Sequence, residues 1–369
     1  LLGAAVLLHG ETLPRRQAGE MALHQIHTGR GSALLIVMPD GTTALVDAGA
    51  VPDGPALTMG PRRPDATRRP GEWIAAYGKA LGVERLEYVL ATHYHDDHIA
   101  GIEDVARALP VRKLIDRGED PEPPRYPVVE RYREFAKGLG SGGRETIRVG
   151  ASDQLKPVLG QVEEFEIRTV AGNGLVWDGA GDGARSMFPA NWKRLPADEQ
   201  PGENHFSIAL RIRYGAFRYF TGADLVGVAL DGAPAWHDVE TPVAKVVGAV
   251  DVAVINHHGW LDSTNEFFLR TLAPKVAILP AWHASHPDHG VLRRLRSPRG
   301  PRPDLFTTAL LEASEAVFGY LREPFRNREG HIVVRVAAGG QEYRVYVLDA
   351  ADPAAPVKQV FGPYRSQRR

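Results

Sequence analysis

Apolar positions along this chain follow two periods, and the periods switch in a regular order. The runs ALLIVM (33–38) and TALVDAG (43–49), separated by PDGT, predict a β-hairpin, because an Asp-Gly turn between strand-like runs favours that connection. Residues 51–72 are rich in Pro, Arg and Gly without periodicity and read as a loop or insertion. GEWIAAYGKALGV (71–83) has helical spacing, RLEYVLAT (85–92) is strand-like and IEDVARAL (102–109) is helical again, which makes a strand–loop–helix unit. Residues 116–200 carry Pro-rich DPEPPRYP and Gly-rich GNGLVWDGAGDG and read as decorated loops around one helix, VVERYREFAKGL. Alternation returns in SIALRIRYGAFRYFTGAD (207–224). Then come the apolar run DVAVINHHG (251–259), the helix NEFFLRTL, the strand KVAILPA and the helix start HGVLRRL. HIVVRVAAGGQEYRVYVLD (331–349) predicts a second hairpin, and GPYRSQRR a frayed tail. The order β-rich, βα, β-rich, βα predicts an α/β sandwich with helices outside two sheets. Polar clusters fall where strands end, facing a shared cleft.

Composition narrows this little. The chain has 369 residues, 43% apolar, enough for a sizeable core, and 44 basic against 45 acidic residues give a net charge of −1. No global field draws it to nucleic acid or to an anionic membrane: net charge does not indicate a nucleic-acid partner, which stays open through a local basic surface, and no stretch reads as a stable membrane insertion. Cysteine is absent, so a metal site must use His, Asp, Glu or Asn, and a thiol nucleophile is excluded. The opening LLGAAVLLHGETLP reads as the end of a signal-peptide apolar region, or as a floppy terminus or short buried strand. The first reading gives the expectation of an exported protein, periplasmic or secreted, with a cytoplasmic one as the alternative.

The chemistry concentrates in ATHYHDDHIAG (91–101). His93 and His95 lie two apart after a strand, where extended backbone turns i and i+2 to one side. Asp97 and His98 follow where the loop enters a helix, so a tight turn can aim them at a second point. Neutral imidazole and carboxylate suit zinc, iron or manganese. A solvated turn is the alternative, and four such ligands in six residues after an apolar strand disfavour it.

HYHDDH resembles the H-x-H-x-D-H signature of the metallo-β-lactamase superfamily, and the resemblance extends over roughly residues 24 to 295. It implies a four-layer αββα sandwich over 21–325, with 116–200 as an insert forming the cleft rim. Residues 1–20 are then the signal remnant or disordered N-terminus, and 326–369 a C-terminal hairpin and tail. ALVDAGA matches the family's first motif and implies that Asp47 orients the metal loop. FRYFTGAD matches the motif that supplies a metal-bridging carboxylate, Asp224, although Ala223 intervenes where the family writes Thr-Gly-Asp. NHHG matches the last metal motif, implying His258 as ligand and His257 as an orienting or substrate-facing residue. Together with ENHFSIALRI and SHPDHG, this form is similar to the ComEC-type competence branch, in which Asn often replaces a third His. Asn204 and His205 are both candidates there, and one residue of slip exchanges their faces. Ser32 in GRGS stands where that branch tends to have Asp. His286 matches a His-Pro of the branch, as a proton donor or a holder of a substrate oxyanion, with a helix-capping His as the alternative. His283 and His289 read as surface residues, and His24 and His27 as structural ones.

The resemblance implies a hydrolase with two divalent metal ions, zinc or manganese, held by His93, His95, Asp97, His98, Asp224, His258 and His205. Two such ions lower the pKa of a shared water and clamp the attacked group, and Asp97 and His286 are the catalytic candidates. The expected substrate is a phosphodiester or another small molecule. A lactone, amide or β-lactam is the second expectation, and a metal-stabilised binding module without catalysis the third. Trp177, Phe188 and Trp192 in the 116–200 segment either fill a local core or stack on substrate.

Overall fold

The structure is a computed structural model that describes residues 6–367 except Ser141, Asp231 and Pro324. Two sheets form its centre. The first runs β1 (Val6–Glu11), β18 (Val357–Arg365), β17 (Glu342–Leu348), β16 (His331–Val336), β2 (Met21–Gln25), β3 (Leu34–Val37), β4 (Thr43–Val46), β5 (Leu86–Leu90), β6 (Val111–Asp116), β7 (Arg144–Thr146). The second runs β10 (Ala184–Ser186), β9 (Leu175–Trp177), β8 (Phe165–Gly172), β11 (Ala209–Tyr214), β12 (Phe217–Thr221), β13 (Val252–Val254), β14 (Val276–Leu279), β15 (Asp304–Thr307).

Alternation along the strands divides the side chains into layers. Leu34, Ile36, Val46 and Leu90 of the first sheet meet Leu210, Ile212, Tyr219, Val252 and Ile278 of the second in the central core. The opposite face of the first sheet, with Leu35, Leu45, Val89 and Leu114, is covered by α1 (Pro70–Ala80), α3 (Ile102–Ala108) and α4 (Pro127–Gly138). The opposite face of the second, with Phe220, Ala253, Ala277 and Leu305, is covered by α5 (Glu240–Val247), α6 (Glu266–Leu272) and α7 (His289–Leu295). This is the αββα sandwich that the sequence predicts. Each fully buried Leu, Ile or Phe contributes roughly 1.5–3 kcal/mol, so three contiguous apolar layers hold the cleft loops to a rigid base.

Strands β4, β5 and β6 are parallel, as are β12, β13, β14 and β15. Their C-terminal ends therefore open on one edge of each sheet, where the polar loops meet.

Three segments differ from the sequence expectation. Within 116–200 the predicted helix is present as α4, but Phe165–Gly172 is a long inner strand, β8, paired with β11 from Ala209↔Ala171 to Tyr214↔Phe165. Glu166 and Arg168 interrupt its apolar run because they point away from the central core, while Ile167 packs into it. The hairpin of 326–369 is present and is built into the first sheet, since β16 pairs β2 through Val334↔Leu23. Gly362–Arg365 are part of β18 rather than a frayed tail, because β17 offers them a paired edge. Of residues 1–20, the first five lie outside the described residues, and Val6–Glu11 form β1 against β18. Among the described residues no helix is long and apolar enough to cross a membrane.

Candidate metal centre

The loop after β5 enters α2 (Asp96–Ile99), and this turn aims Asp97 and His98 inward beside His93 and His95. It packs without clearance on the hairpin loops: a Cβ on Gly31 or Gly49 would collide with the Asp97 carbonyl, and the Ser32 amide donates to that carbonyl at 2.9 Å. Those contacts explain the glycines of GRGS and DAG, and they give Ser32 a role that its side chain does not need.

Asp47 follows β4 with φ of 61°, a strained value for a non-glycine residue. Its Oδ1 accepts from the Thr92 amide at 2.8 Å, and its Oδ2 accepts from the Thr92 hydroxyl at 2.8 Å and from His98 Nδ1 at 2.7 Å. The strain is offset by three hydrogen bonds that fix both the loop and the imidazole it presents.

On the second sheet, Ala223 adopts φ of 48° and its carbonyl accepts from the His257 amide at 2.8 Å. This left-handed residue absorbs the extra position in Thr-Gly-Ala-Asp and returns Asp224 to the cleft. His257 and His258 have φ of 47° and 54° after β13, so the two rings diverge from one tight turn.

Two groups of ligand atoms result, each with its atoms within 4.8 Å of one another: Asp97, His98, Asp224 and His258, and then His93, His95 and Asp224. Asp224 belongs to both. Its Oδ1 lies 3.2 Å from His98 Nε2 and 3.5 Å from His258 Nε2, and its Oδ2 lies 3.7 Å from His93 Nε2. One carboxylate thus offers one oxygen to each group.

Proton placement tests whether a cation fits. His98 Nδ1 donates to Asp47, and His258 Nδ1 donates to the Pro280 carbonyl at 3.0 Å. Their Nε2 atoms then carry lone pairs, and they face each other at 3.3 Å. Asp97 Oδ2 is 2.9 Å from His258 Nε2, and Asp224 Oδ1 is buried without a hydrogen-bond donor. In the neutral imidazoles, four acceptors converge with no hydrogen between them. The same holds for His93: the Thr92 hydroxyl gives its hydrogen to Asp47, so Thr92 Oγ1 accepts from His93 Nδ1 at 3.1 Å, which leaves His93 Nε2 bare at 3.2 Å from His95 Nδ1. Such a donor set fits divalent ions. The electrostatics agree. Burial alone would lower the His98 pKa, yet Asp224, Asp97 and Asp47 hold it well above its usual value. Burial would raise Asp224 and Asp97, yet His98 and His258 hold both carboxyls below the usual range.

The segment Glu203–Phe206 separates the two candidates left open by the sequence. Asn204 Nδ2 lies 3.1 Å from His257 Nε2, facing the centre. His205 is not among the converging atoms. Its ring packs against His237 at 4.6 Å and Phe188 at 6.4 Å, and burial first, then His237, lower its pKa to about 4. A single turn sends neighbouring side chains to opposite sides, and only Asn204 faces the cleft. His257 Nδ1 donates to Asp262 Oδ1 at 2.7 Å, and its Nε2 is 3.7 Å from Asp224 Oδ2.

His286 stacks on His258 with centroids 4.9 Å apart and planes at 22°, flanked edge-on by Trp260 and Trp282. Its Nδ1 is buried with no hydrogen-bond partner. Burial, then His258, push its pKa well down. His283 and His289 lie outside the two ligand groups. Trp177 and Phe188 are buried in the outer core of the second sheet, with Trp192 packed against it.

Several supports carry no local sequence signal. Glu203 receives Arg117 at 2.7 and 2.8 Å and the Tyr94 amide at 2.8 Å, tying the Asn204 segment to the His93–His95 loop. Arg117 is fully buried and stacks over Tyr94 at 4.5 Å. Partners separated by 86 residues leave no spacing to read.

Residues 28–176 match the family model described as the Metallo-beta-lactamase superfamily. Over that stretch the chain is similar to the metallo-β-lactamase superfamily. A hydroxyacylglutathione hydrolase 2 of Vibrio vulnificus (strain YJ016) is 31% identical over 121 residues, covering 31% of this chain and 45% of the relative. A hydroxyacylglutathione hydrolase of Anaeromyxobacter dehalogenans (strain 2CP-C) is 32% identical over 157 residues, covering 41% and 52%. ComE operon protein 3 of Bacillus subtilis (strain 168) is 24% identical over 223 residues, covering 59% of this chain and 23% of the relative. The chain thus spans about half the length, or less, of these curated relatives. The converging His and Asp groups, which reach past the matched stretch to Asp224 and His258, are the candidate sites for divalent metals.

Proposed function

We propose that this protein is a hydrolase with two divalent ions, zinc or manganese, and that a phosphodiester is its substrate. The observation that carries the reading is the split of Asp224, one oxygen toward the Asp97–His98–His258 group and the other toward His93 and His95. Divalent ions held there would supply Lewis-acid chemistry and an acidified water. The chain's own residues do the rest. Asp47, Thr92 and the Pro280 carbonyl hold His98, His93 and His258 in the tautomers that leave Nε2 free. Asn204 and His257 border the same space and are placed to orient a substrate oxygen. His286, kept neutral, presents an unsatisfied Nδ1 beside His258, which suits a hydrogen bond to a substrate oxyanion better than proton donation.

The phosphodiester reading rests on the resemblance of the NHHG, ENHFSIALRI and SHPDHG motifs to the ComEC-type branch and on a clamp suited to an in-line displacement. Acyl hydrolysis is the second reading, favoured by the hydroxyacylglutathione hydrolase relatives, with lactone, amide and β-lactam as its other forms. Export rests on the apolar opening stretch alone, and fractionation of cells expressing the full gene tests it. The purified protein should cleave a chromogenic phosphodiester with manganese or zinc, and Asp97→Ala should not. A thioester, a lactone and a β-lactam in the same assay separate the substrate classes. Equal rates for wild type and variant on every substrate would leave a non-catalytic metal-binding module.

A further inference from the structure

Behind the His257–His258 turn lies a carboxylate that the proposed reaction does not use. Glu240, at the start of α5, is fully buried. Its Oε1 accepts from Asn256 Nδ2 at 2.7 Å and from the Thr264 amide at 2.6 Å, and its Oε2 accepts from the Asn265 amide at 2.8 Å. Asn256 directly precedes the His pair, and its carbonyl is held by the Ser263 hydroxyl at 2.9 Å. On the other side Glu240 presses on the Asp224 loop. A Cβ on Gly227 would overlap Glu240 Oε2, and a Cβ on Gly222 would overlap Asn256 Oδ1. Gly227 is in turn tied to the Asp262 carbonyl at 2.8 Å, and Asp262 carries His257.

One carboxylate therefore meets three stretches: 222–228 with Asp224, 256–259 with His258, and 262–265 with the partner of His257. Burial raises the Glu240 pKa to about 7, and the three donors aimed at it offset the cost of burying the carboxyl. We infer that Glu240 is a positioning residue: acting through Asn256, it fixes the separation of Asp224 from His258 and so sets the affinity for the ion between them. This rests on the two-ion reading. Glu240 touches neither ligand, so its effect is on their placement alone, as for the outer partners of known metal ligands, whose loss weakens binding by about 10–100-fold.

The experiment titrates metal-free protein with Mn²⁺ and with Zn²⁺ by calorimetry, for wild type, Asn256→Ala, Glu240→Gln and the double variant, with the thermal midpoint of each metal-free protein alongside. The expected result is a tenfold or greater weakening of one of two ions in each single variant. The double variant should bind no worse than the weaker single, because both changes act on one contact. Unchanged dissociation constants in folded variants, or effects that add, would overturn the inference. Asn256→Ala removes one of the three bonds, so it carries the test if Glu240→Gln does not fold. A wild-type protein that binds no ion would instead remove the two-ion reading on which the inference stands.

Discussion

Two buried groups of histidines, one in the cleft where the two sheets meet and one on the first sheet, have opposite chemistry. At the candidate metal centre, the bare Nε2 atoms of His98 and His258 face each other and the carboxylates of Asp97 and Asp224, and that of His93 faces His95 and Asp224. Near β2 and β16, His24, His27 and His331 are as deeply buried, but each is already answered. His24 Nδ1 meets the Tyr77 hydroxyl at 2.9 Å, His331 Nδ1 accepts from the His27 amide at 3.0 Å, and His27 Nε2 lies 3.4 Å from Glu329. Burial is common to both. What differs is the number of carboxylates aimed at the rings. Burial first, then Arg335, drop the His24 pKa to about 3, whereas the carboxylates around His98 raise its pKa. The first group gathers bare ring nitrogens around shared carboxylates, whereas the second pairs its rings with a hydroxyl, an amide and a single carboxylate.

The contrast can be broken at either end. The largest effect is expected for Asp224→Ala, which removes the group shared by both ligand sets. Steady-state assays should show a loss on the order of 10⁴-fold, the range seen when a central catalytic group is deleted. Next, Asp47→Asn should keep the fold but weaken one ion by roughly 10–100-fold in a calorimetric titration, because His98 loses the charged acceptor that orients it. An unchanged affinity would mean that the loop alone places His98. A smaller effect of about 1–3 kcal/mol on thermal stability is expected for His24→Gln, which removes the bond to Tyr77. The stabilisation gained on adding metal should stay the same as in wild type; a smaller gain would show that the two groups communicate.

The smallest effect concerns pH. His24 and His331 have folded pKa values lowered to about 3, against 6.5 when unfolded, so the unfolded chain binds more protons as pH falls below about 6.5. Their contribution is fully present above that value and is lost as pH falls from about 6.5 toward 3. Between pH 7 and 6 each group should cost roughly 0.7 kcal/mol of metal-free stability. In denaturant melts, His24→Gln should flatten this slope, and an unaltered slope would show that His24 is not the group responsible.

Much of the fold and centre was legible because its signals are local. HYHDDH places four ligand candidates on one turn, and the alternation of 207–224 and 331–349 marks strands directly. β8 was missed because Glu166 and Arg168, on the outward face, broke an apolar run that Ile167 continues inward. The exchange between Asn204 and His205 could not be read because one residue of rotation in a short turn decides it. Thr92, Glu203, Glu240 and Asp262 were not singled out because each acts on a partner fixed by the fold and is itself an ordinary polar residue in the chain. The histidines of the second group show the reverse: as residue types they match the ligands, and only the sheet pairing supplies their partners.

Counting the bound ions tests the central claim most directly. Metal-free wild-type protein, equilibrated with manganese or zinc and freed of excess, should retain two ions per chain by elemental analysis, and Asp224→Ala should retain fewer than two. A wild-type protein that retains none, or an Asp224→Ala variant that keeps both with wild-type affinity, would contradict the account.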